Sequence, residues 1–262
     1  MLKARVITAL ILIAGLLAVL FYFDTAIAAL VFAGVAALAA WEWAGLMRAG
    51  LSGRVGLVGG VLLSCFIVRT QFQVLVGPIW MGATLFWLLL APVSLQRGWR
   101  MSALPWLGYL LGGGLILATW AAMVSLHGRS PLLLLAAMAT VWVADSAAYF
   151  AGRAFGRRKL APSISPGKTW EGVAGALLGV VGYGLLLHWQ MTNAALIPLL
   201  LGLIVMLALS VIGDLFESLA KRQAGLKDSG HLLPGHGGVL DRIDSLLPTL
   251  PLAALFMERV FK

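Results

Sequence analysis

The chain has 262 residues, of which 61% are hydrophobic and 11% charged, and its mean hydropathy is +0.98. Soluble domains carry about a quarter charged residues, so this composition excludes an ordinary soluble protein and predicts a polytopic membrane protein. The apolar runs are continuous rather than alternating, which excludes a β-barrel. The net charge of +9 comes without interleaved basic and aromatic residues, so nucleic acid is not an expected partner.

Nine apolar runs are candidates for membrane-spanning helices, because about 17–25 apolar residues suffice to cross a bilayer. The third run is short and the ninth contains Pro248 and Pro251, so these two assignments are the weakest. The first run is too long for the apolar core of a cleaved signal, and we expect it to remain a membrane helix. The runs cover residues 6–23, 25–46, 55–68, 74–95, 104–126, 131–151, 172–189, 194–216 and 245–260.

The basic residues divide unequally between the two sides of this predicted bundle. With the N-terminus inside, fifteen of the nineteen lysines and arginines lie on the cytoplasmic side and four on the other. Cytoplasmic loops are enriched in Lys and Arg, so the division favours this orientation and nine spans. We therefore predict an all-α fold of about nine transmembrane helices with a cytoplasmic N-terminus. Anionic lipid headgroups or an anionic substrate are the natural partners of such a basic face.

Polar residues concentrate in the second half of the chain, where seven of the ten acidic residues lie between positions 145 and 244. We therefore divide the chain into scaffold helices, residues 1–130, and a catalytic region, residues 131–262, with its polar site at the cytoplasmic face. Cys65 is the only cysteine and lies in an apolar run, which excludes disulfides and thiolate metal sites.

Asp145 lies inside the sixth apolar run. A carboxylate at that depth costs about 2.5–3.5 kcal/mol on insertion scales, which makes it a functional candidate by default. The alternative is a carboxylate paired with a nearby arginine or placed at the water interface.

The next candidate is the loop RRKLAPSISPGKTWEG, residues 157–172. Its Gly-Lys-Thr resembles the end of a Walker A loop, but the glycine required five residues before Gly167 is Pro162, which excludes a P-loop. Ser163, Ser165 and Lys168 offer hydroxyls and a cation to phosphate oxygens near the following helix N-terminus. The alternative is an ordinary basic loop that only sets the topology.

Two pairs of carboxylates follow, Asp214 with Glu217 and Asp241 with Asp244. Residues three apart share a helix face, and two such pairs at one membrane level would repel unless a cation lies between them. Oxygen ligands of this kind suit Mg²⁺, whereas one cysteine and scattered histidines argue against zinc. The alternative is simple ion pairing with neighbouring basic residues, namely Lys221, Arg222 and Arg242.

His236 stands between Gly235 and Gly237, in the segment GHGGVLDRID. It is a candidate phosphate donor or acid, although histidines in glycine turns are as often hydrogen-bonded scaffolding. The glycines admit positive φ and close approach of the backbone to a ligand.

Residues 218–244, SLAKRQAGLKDSGHLLPGHGGVLDRID, resemble the signature of the phosphatidate cytidylyltransferases, also called CDP-diacylglycerol synthases. That pattern runs Ser, two residues, Lys-Arg, four residues, Lys-Asp, then a glycine-containing stretch to Pro-x-His-Gly-Gly and Asp-Arg-x-Asp, and every position is filled here. Ala220 departs from the larger apolar residue usual in the family. The segments ADSAAYFAGR and SPGKTWEG are also similar to family segments, although Gly167 stands where the family more often has lysine. The resemblance covers about the last 120 residues.

The resemblance implies transfer of CMP from CTP to phosphatidic acid, which gives CDP-diacylglycerol and pyrophosphate. It also implies Mg²⁺ dependence and a membrane-embedded homodimer. We expect room for a second cation beside the first, and we expect the scaffold helices to supply the contacts with the partner and with lipids. The short loops point to a bacterial inner membrane, with the active site facing the cytoplasm.

In this reaction the lipid phosphate is the nucleophile, so the protein has to position two polyanions and neutralise their charge. We expect Asp214 and Asp241 to be the principal metal ligands, followed by Asp244 and then by Asp145 and Glu217. Among the basic residues we expect Lys221 and Arg222 to act in catalysis by holding phosphates. The expected substrate-binding residues are Ser163, Ser165, Lys168, Lys227, Asp228, His236 and Arg242.

Other functions compete with this hypothesis. A CTP-dependent polyprenol kinase would transfer the γ-phosphate and would release CDP instead of pyrophosphate. An anion transporter would use Asp145 and the basic vestibule, but it would need polar groups through the bilayer rather than at one face. A purely structural membrane module would leave the carboxylate pairs unexplained.

Overall fold

A computed structural model describes residues 2–99, 104–190 and 195–260 of the chain. Residue 194, where the eighth predicted run begins, and Arg100 and Lys262, which enter the charge count, lie outside the described residues. In chain order the elements are α1 (Leu2–Tyr22), α2 (Thr25–Leu46), α3 (Leu51–Thr70), α4 (Phe72–Leu85), a π-helical turn (Phe86–Leu90), α5 (Ala91–Arg97), α6 (Pro105–Arg129), α7 (Pro131–Phe155), β1 (Lys159–Ala161), β2 (Ser165–Thr169), α8 (Trp170–Gln190), α9 (Leu196–Ala224), α10 (Leu240–Ile243) and α11 (Leu246–Val260).

The chain folds as an α-helical integral membrane protein, and most of the residues that the structure describes lie in helices. Within the described ranges, seven helical segments are long and apolar enough to cross a membrane, with α4, the π turn and α5 forming one of them. The third predicted run, expected to be short, is a helix of 20 residues. Two further apolar stretches within the described residues, Val6–Tyr22 of α1 and Leu246–Glu258 of α11, are shorter than the seven.

The π turn at Phe86–Leu90 interrupts the fourth span just before Pro92. Proline lacks the N–H that would continue the ladder and clashes with the carbonyl four residues earlier, so a local widening of the helix is expected there. The turn directs Phe86 and Trp87 onto Phe216 of α9, with ring centroids 5.5 and 5.3 Å from that ring. It therefore supports the helix that carries much of the polar site.

The helices α7 and α8 pack closely because small residues face each other. A Cβ on Gly175 would overlap the Ala151 side chain, and one on Gly179 would lie 2.8 Å from the Ala147 Cβ. Small residues at such interfaces let two membrane helices approach closely. The central helix of the bundle is α6, the most buried of the seven spans, which packs against α2, α3, α4, α7 and α11.

The loop predicted between α7 and α8 contains a short β-hairpin, which adds two strands to the otherwise helical fold. Strands β1 and β2 are antiparallel, with Lys159 opposite Thr169 and Ala161 opposite Ser165. Pro162 and Pro166 disfavour a helix here, and strand pairing satisfies the backbone polar groups instead. The Glu171 carboxylate accepts hydrogen bonds from the amides of Arg157 and Arg158, which holds the start of the hairpin against α8.

Five segments that the sequence assigns to one side of the membrane meet at one end of the bundle. The Arg48 guanidinium after α2 donates to the Gln223 carbonyl at the end of α9, and the Gln223 amide donates to the Trp99 carbonyl after α5. Arg222 donates to the Ile164 carbonyl in the hairpin turn. In α1, the Thr8 hydroxyl donates to a carbonyl of the loop that follows α9. The basic loops are therefore neighbours in space.

Candidate active site

The polar site forms where α9 ends and the chain folds back toward α11. Helix α9 stops at Gly225, whose φ of +76° suits a left-handed C-cap. The following loop turns sharply at residues 233–237, where Leu233 and Gly237 form an isolated β-bridge and Gly237 has a φ of +79°. Glycine is favoured at such a φ because it has no Cβ. The turn leads into α10, the four-residue helix that carries Asp241.

A close approach of α9 and α11 brings the second carboxylate pair to the level of the first. A Cβ on Gly213 would lie 2.6 Å from the Asp244 carbonyl oxygen and 2.7 Å from a Pro248 side-chain carbon. The missing side chain therefore lets the start of α11 lie against α9, next to Asp214.

The Lys221 ammonium lies between two of the predicted carboxylates. Its Nζ is 2.6 Å from Glu217 Oε2 and 2.6 Å from Asp241 Oδ1. The exposed fractions of the three side chains are 12% for Lys221, 2% for Glu217 and 6% for Asp241, so this triad is largely excluded from water. The sequence predicted a cation between the acidic pairs, and between Glu217 and Asp241 that cation is the Lys221 ammonium.

Asp241 is held by donors on both of its oxygens. While Oδ1 contacts Lys221, Oδ2 accepts from the Ser229 amide, the Ser229 hydroxyl and the Gly238 amide at 2.8–2.9 Å. Burial alone would raise the pKa of Asp241, but the hydrogen bonds from Lys221, Gly238 and Ser229 outweigh it and lower that pKa. These contacts hold the Asp241 carboxylate in a fixed orientation beside Lys221.

A second group of charges surrounds Lys168, which comes from β2. Its Nζ is 2.5 Å from Asp214 Oδ2, and the Ser218 hydroxyl donates to Asp214 Oδ1. Asp145 and Asp244 both interact electrostatically with Asp214. Burial, and then the charge of Asp214, raise the pKa of Asp244 to about 7. Three carboxyl groups therefore interact around Lys168.

The predicted cluster of five metal-binding carboxylates is not assembled as one cage. Within the described ranges, no three His, Cys, Asp or Glu side chains converge to hold a metal ion by themselves. The carboxylates instead divide into the Lys221 group and the Lys168 group. Mg²⁺ commonly takes one or two carboxylates and completes its shell with waters and substrate phosphates. The mutual repulsion of Asp214 and Asp244 fits such a partial, all-oxygen site.

A cavity of about 580 Å³ opens beside these groups, within the folded-back loop. It brings together four of the predicted substrate-binding residues and adds one that the sequence analysis did not select, His231. Among the described polar atoms, His236 Nδ1 is buried without a hydrogen-bond partner. The polar side chains of the lining are Lys227, Asp228, His231, His236 and Arg242. A cavity with this lining is suited to an anionic ligand.

The remaining predicted residues lie around the cavity without lining it. Arg222 donates to the carbonyls of Ile164 and Leu226, so it braces the hairpin against the end of α9. Ser163 is exposed in the hairpin turn, and Ser165 pairs with Ala161. These contacts connect the hairpin to the site but place neither hydroxyl in the cavity wall.

The sequence analysis missed Glu42, in the last turn of α2. Glu42 is 6% exposed and accepts hydrogen bonds from the amides of Val239 and Leu240 at 3.0 and 2.8 Å and from the Ser229 hydroxyl at 2.9 Å. The signal was available, because a carboxylate inside an apolar run is the same feature that singled out Asp145. Its partners, nearly 200 residues away in sequence, were not visible.

Comparisons with known proteins cover almost the whole chain. Residues 3–260 match the Cytidylyltransferase family. The chain is 42% identical to the phosphatidate cytidylyltransferase of Pseudomonas aeruginosa, across 98% of this chain and 97% of that protein. It is 37% identical to the phosphatidate cytidylyltransferase of Haemophilus influenzae, across 98% of each chain. The protein of that name from Bacillus subtilis is 47% identical over a shorter stretch, 46% of each chain. The resemblance carried by residues 218–244 is confirmed, and the chain belongs to the cytidylyltransferase family.

Proposed function

We propose that the chain is a phosphatidate cytidylyltransferase, which transfers CMP from CTP to phosphatidic acid and releases pyrophosphate in phospholipid biosynthesis. The observation that carries the proposal is the near-complete alignment with curated relatives of that name. The geometry supports it, because a cation-lined cavity lies at one end of an apolar helical bundle. There it is open to a water-soluble nucleotide and close to the lipid layer.

In the proposed reaction, an oxygen of the lipid phosphate attacks the α-phosphorus of CTP, and the bond from that phosphorus to pyrophosphate breaks. The attacking group is already an anion, so the protein supplies position and charge neutralisation rather than a nucleophile. Lys227, His236 and Arg242 line the cavity, and we expect them to hold phosphate oxygens. Lys168, paired with Asp214 in the free protein, is the basic residue for the second phosphate.

We propose that the enzyme depends on Mg²⁺ held by Asp214 and Asp244, with Asp145 beside them. When bound, the metal would neutralise the charge of the two phosphates, and a second cation would add to that neutralisation. Asp241 and Glu217 keep the Lys221 ammonium in place, and that ammonium contributes fixed positive charge next to the metal site. Lys221 thereby acts in catalysis without leaving its buried partners.

We also propose nine spans, with α1 and α11 crossing the membrane beside the seven other segments, and a cytoplasmic N-terminus. The meeting of the basic loops at one end of the bundle and the unequal division of Lys and Arg support this topology. The proposed location is a bacterial inner membrane, with the site facing the cytoplasm and the chain assembled as a homodimer.

The test is incubation of the purified protein with CTP, phosphatidic acid and Mg²⁺, followed by identification of every product. We expect CDP-diacylglycerol and pyrophosphate in equal amounts, and loss of both when EDTA removes the metal. Activity that survives EDTA would reject the Mg²⁺ proposal while leaving the cytidylyl transfer intact. Release of CDP instead of pyrophosphate would identify a kinase, and anion flux into proteoliposomes without CTP would identify a transporter.

A further inference from the structure

Glu42 lies in the first half of the chain, far from residues 218–244, which carry the family signature. Its carboxylate nevertheless accepts three hydrogen bonds from the loop of residues 229–240 within that signature. The Val239 and Leu240 amides stand at the start of α10, and the Ser229 hydroxyl stands at the other end of the loop. Within the described ranges, no lysine, arginine or histidine lies within ion-pair distance of Glu42. Its carboxylate is therefore surrounded by the loop rather than by a counter-ion.

Two glycines of the loop are required by this contact. A Cβ on Gly230 would overlap the Glu42 carboxylate, and a Cβ on Gly238 would overlap both that carboxylate and the Ser229 hydroxyl. The backbone of the loop consequently closes directly onto Glu42. A side chain at either position would displace the Glu42 carboxylate or move the loop away from α2.

A continuous set of hydrogen bonds joins Glu42 to the charged triad. The Ser229 hydroxyl is 2.9 Å from Glu42 Oε2 and 2.9 Å from Asp241 Oδ2. Because a hydroxyl has one proton, these two carboxylates share a single donor. Asp241 in turn contacts Lys221 through its other oxygen. A displacement of Glu42 is therefore transmitted through Ser229 to Asp241, and through Asp241 to Lys221.

We propose that Glu42 is a positioning residue for the transferase site: it anchors residues 229–240 to α2 and thereby sets the orientation of Asp241 and Lys221. Glu42 does not line the cavity, and we expect it to make no contact with substrate. The catalytic consequence rests on the proposed function, whereas the anchoring itself does not. The division into scaffold and catalytic halves is then incomplete, because α2 supplies part of the site.

The decisive variant is Glu42→Gln, which keeps the length of the side chain but replaces one acceptor oxygen by a donor. That donor would face N–H or O–H groups, leaving at least one of them without a partner. Glu42→Asp keeps both acceptors but is one methylene shorter. The matched control is Asp24→Asn at the other end of α2, where Asp24 caps the helix by accepting from the Ile27 amide and asparagine caps almost as well.

Hydrogen exchange tests the anchoring without any substrate. We expect the Val239 and Leu240 amides to exchange at least about 10-fold faster in Glu42→Gln than in the unmodified protein, with the amides of α6 unchanged. Asp24→Asn should leave the loop amides as they are. Unchanged exchange at residues 229–240 in Glu42→Gln would overturn the proposal, whatever the outcome for the proposed function.

Activity tests the link to catalysis. We expect Glu42→Gln to lower kcat by at least about 10-fold, Glu42→Asp to recover part of the loss, and Asp24→Asn to match the unmodified protein. Because Glu42 and Ser229 are hydrogen-bonded and hold the same loop, the loss of kcat in the double variant with Ser229→Ala should be smaller than the product of the two single losses. Losses that multiply would show independent roles and would overturn the proposal. If Glu42→Gln fails to fold, faster loop exchange in Ser229→Ala is the expected result, and unchanged exchange there would overturn it.

Discussion

At the scale of single residues, Lys221 decides how the site is organised. The sequence presented carboxylates that needed a cation between them, and a metal ion and a lysine were both compatible with that requirement. The spacing of Glu217 and Lys221 allows a pair on one helix face, but the approach of Asp241 depends on how the loop folds back. A buried triad of this kind is sensitive, since removing one partner leaves charge without compensation.

Asp241→Asn tests the triad and its part in catalysis. The amide keeps the shape of the side chain but removes the charge beside Lys221 and places a donor near the Ser229 or Gly238 groups. We expect kcat/KM to fall by at least about 100-fold, which corresponds to about 2.7 kcal/mol of transition-state stabilisation. The protein should still insert and elute as a folded species by size-exclusion chromatography, with Asp24→Asn as the control. A variant within about 3-fold of the unmodified enzyme would contradict a role for this carboxylate.

At the scale of elements, the packing of α7 against α8 positions the hairpin that carries Lys168. The two helices approach so closely that Gly175 and Gly179 face Ala151 and Ala147 without room for a side chain. The hairpin lies between the ends of these helices and is joined to α9 through Arg222. A change in the helix–helix distance would therefore move Lys168 relative to Asp214.

Two glycines of α8 provide a matched comparison. A Cβ on Gly175 would overlap Ala151, so Gly175→Ala should cost about 1–3 kcal/mol through overpacking. A Cβ on Gly182 would meet no atom within 4 Å, so Gly182→Ala should be neutral or slightly stabilising, as alanine favours a helix. Thermal unfolding in detergent measures both. Equal midpoints for the two variants would contradict the close contact of α7 and α8.

At the scale of the whole molecule, the bundle places the basic loops and the site at one end. The contacts of Arg48, Gln223 and Arg222 join loops that are far apart in sequence. Away from these loops, the Arg129 guanidinium at the end of α6 donates a hydrogen bond to the Met257 carbonyl in α11. This separation of the ends makes the orientation of the chain testable.

Single cysteines at opposite ends test the proposed orientation. The natural Cys65 is 3% exposed, so it should not react and can be left in place. We expect Thr70→Cys, at the end of α3, to react with a membrane-impermeant maleimide in intact spheroplasts, and Lys159→Cys, in the hairpin, to react only after lysis. The reverse pattern would invert the topology, and reaction of both from one side would refute their placement at opposite ends.

The sequence by itself determined the class of the protein and the chemistry of its signature. Whether an apolar run is long enough to cross a bilayer depends only on residues that are neighbours in the chain. The apolar helices and their approximate bounds therefore followed from the sequence. The family followed from residues that are close together in the chain, 218–244. The tertiary structure alone decided which side chains share a site. Glu42 and Leu240 are 198 residues apart, and the choice of Lys221 as the partner of Asp241 depends on a loop folding against two helices. Such contacts are set by packing and hydrogen bonding across the bundle, which no local pattern encodes.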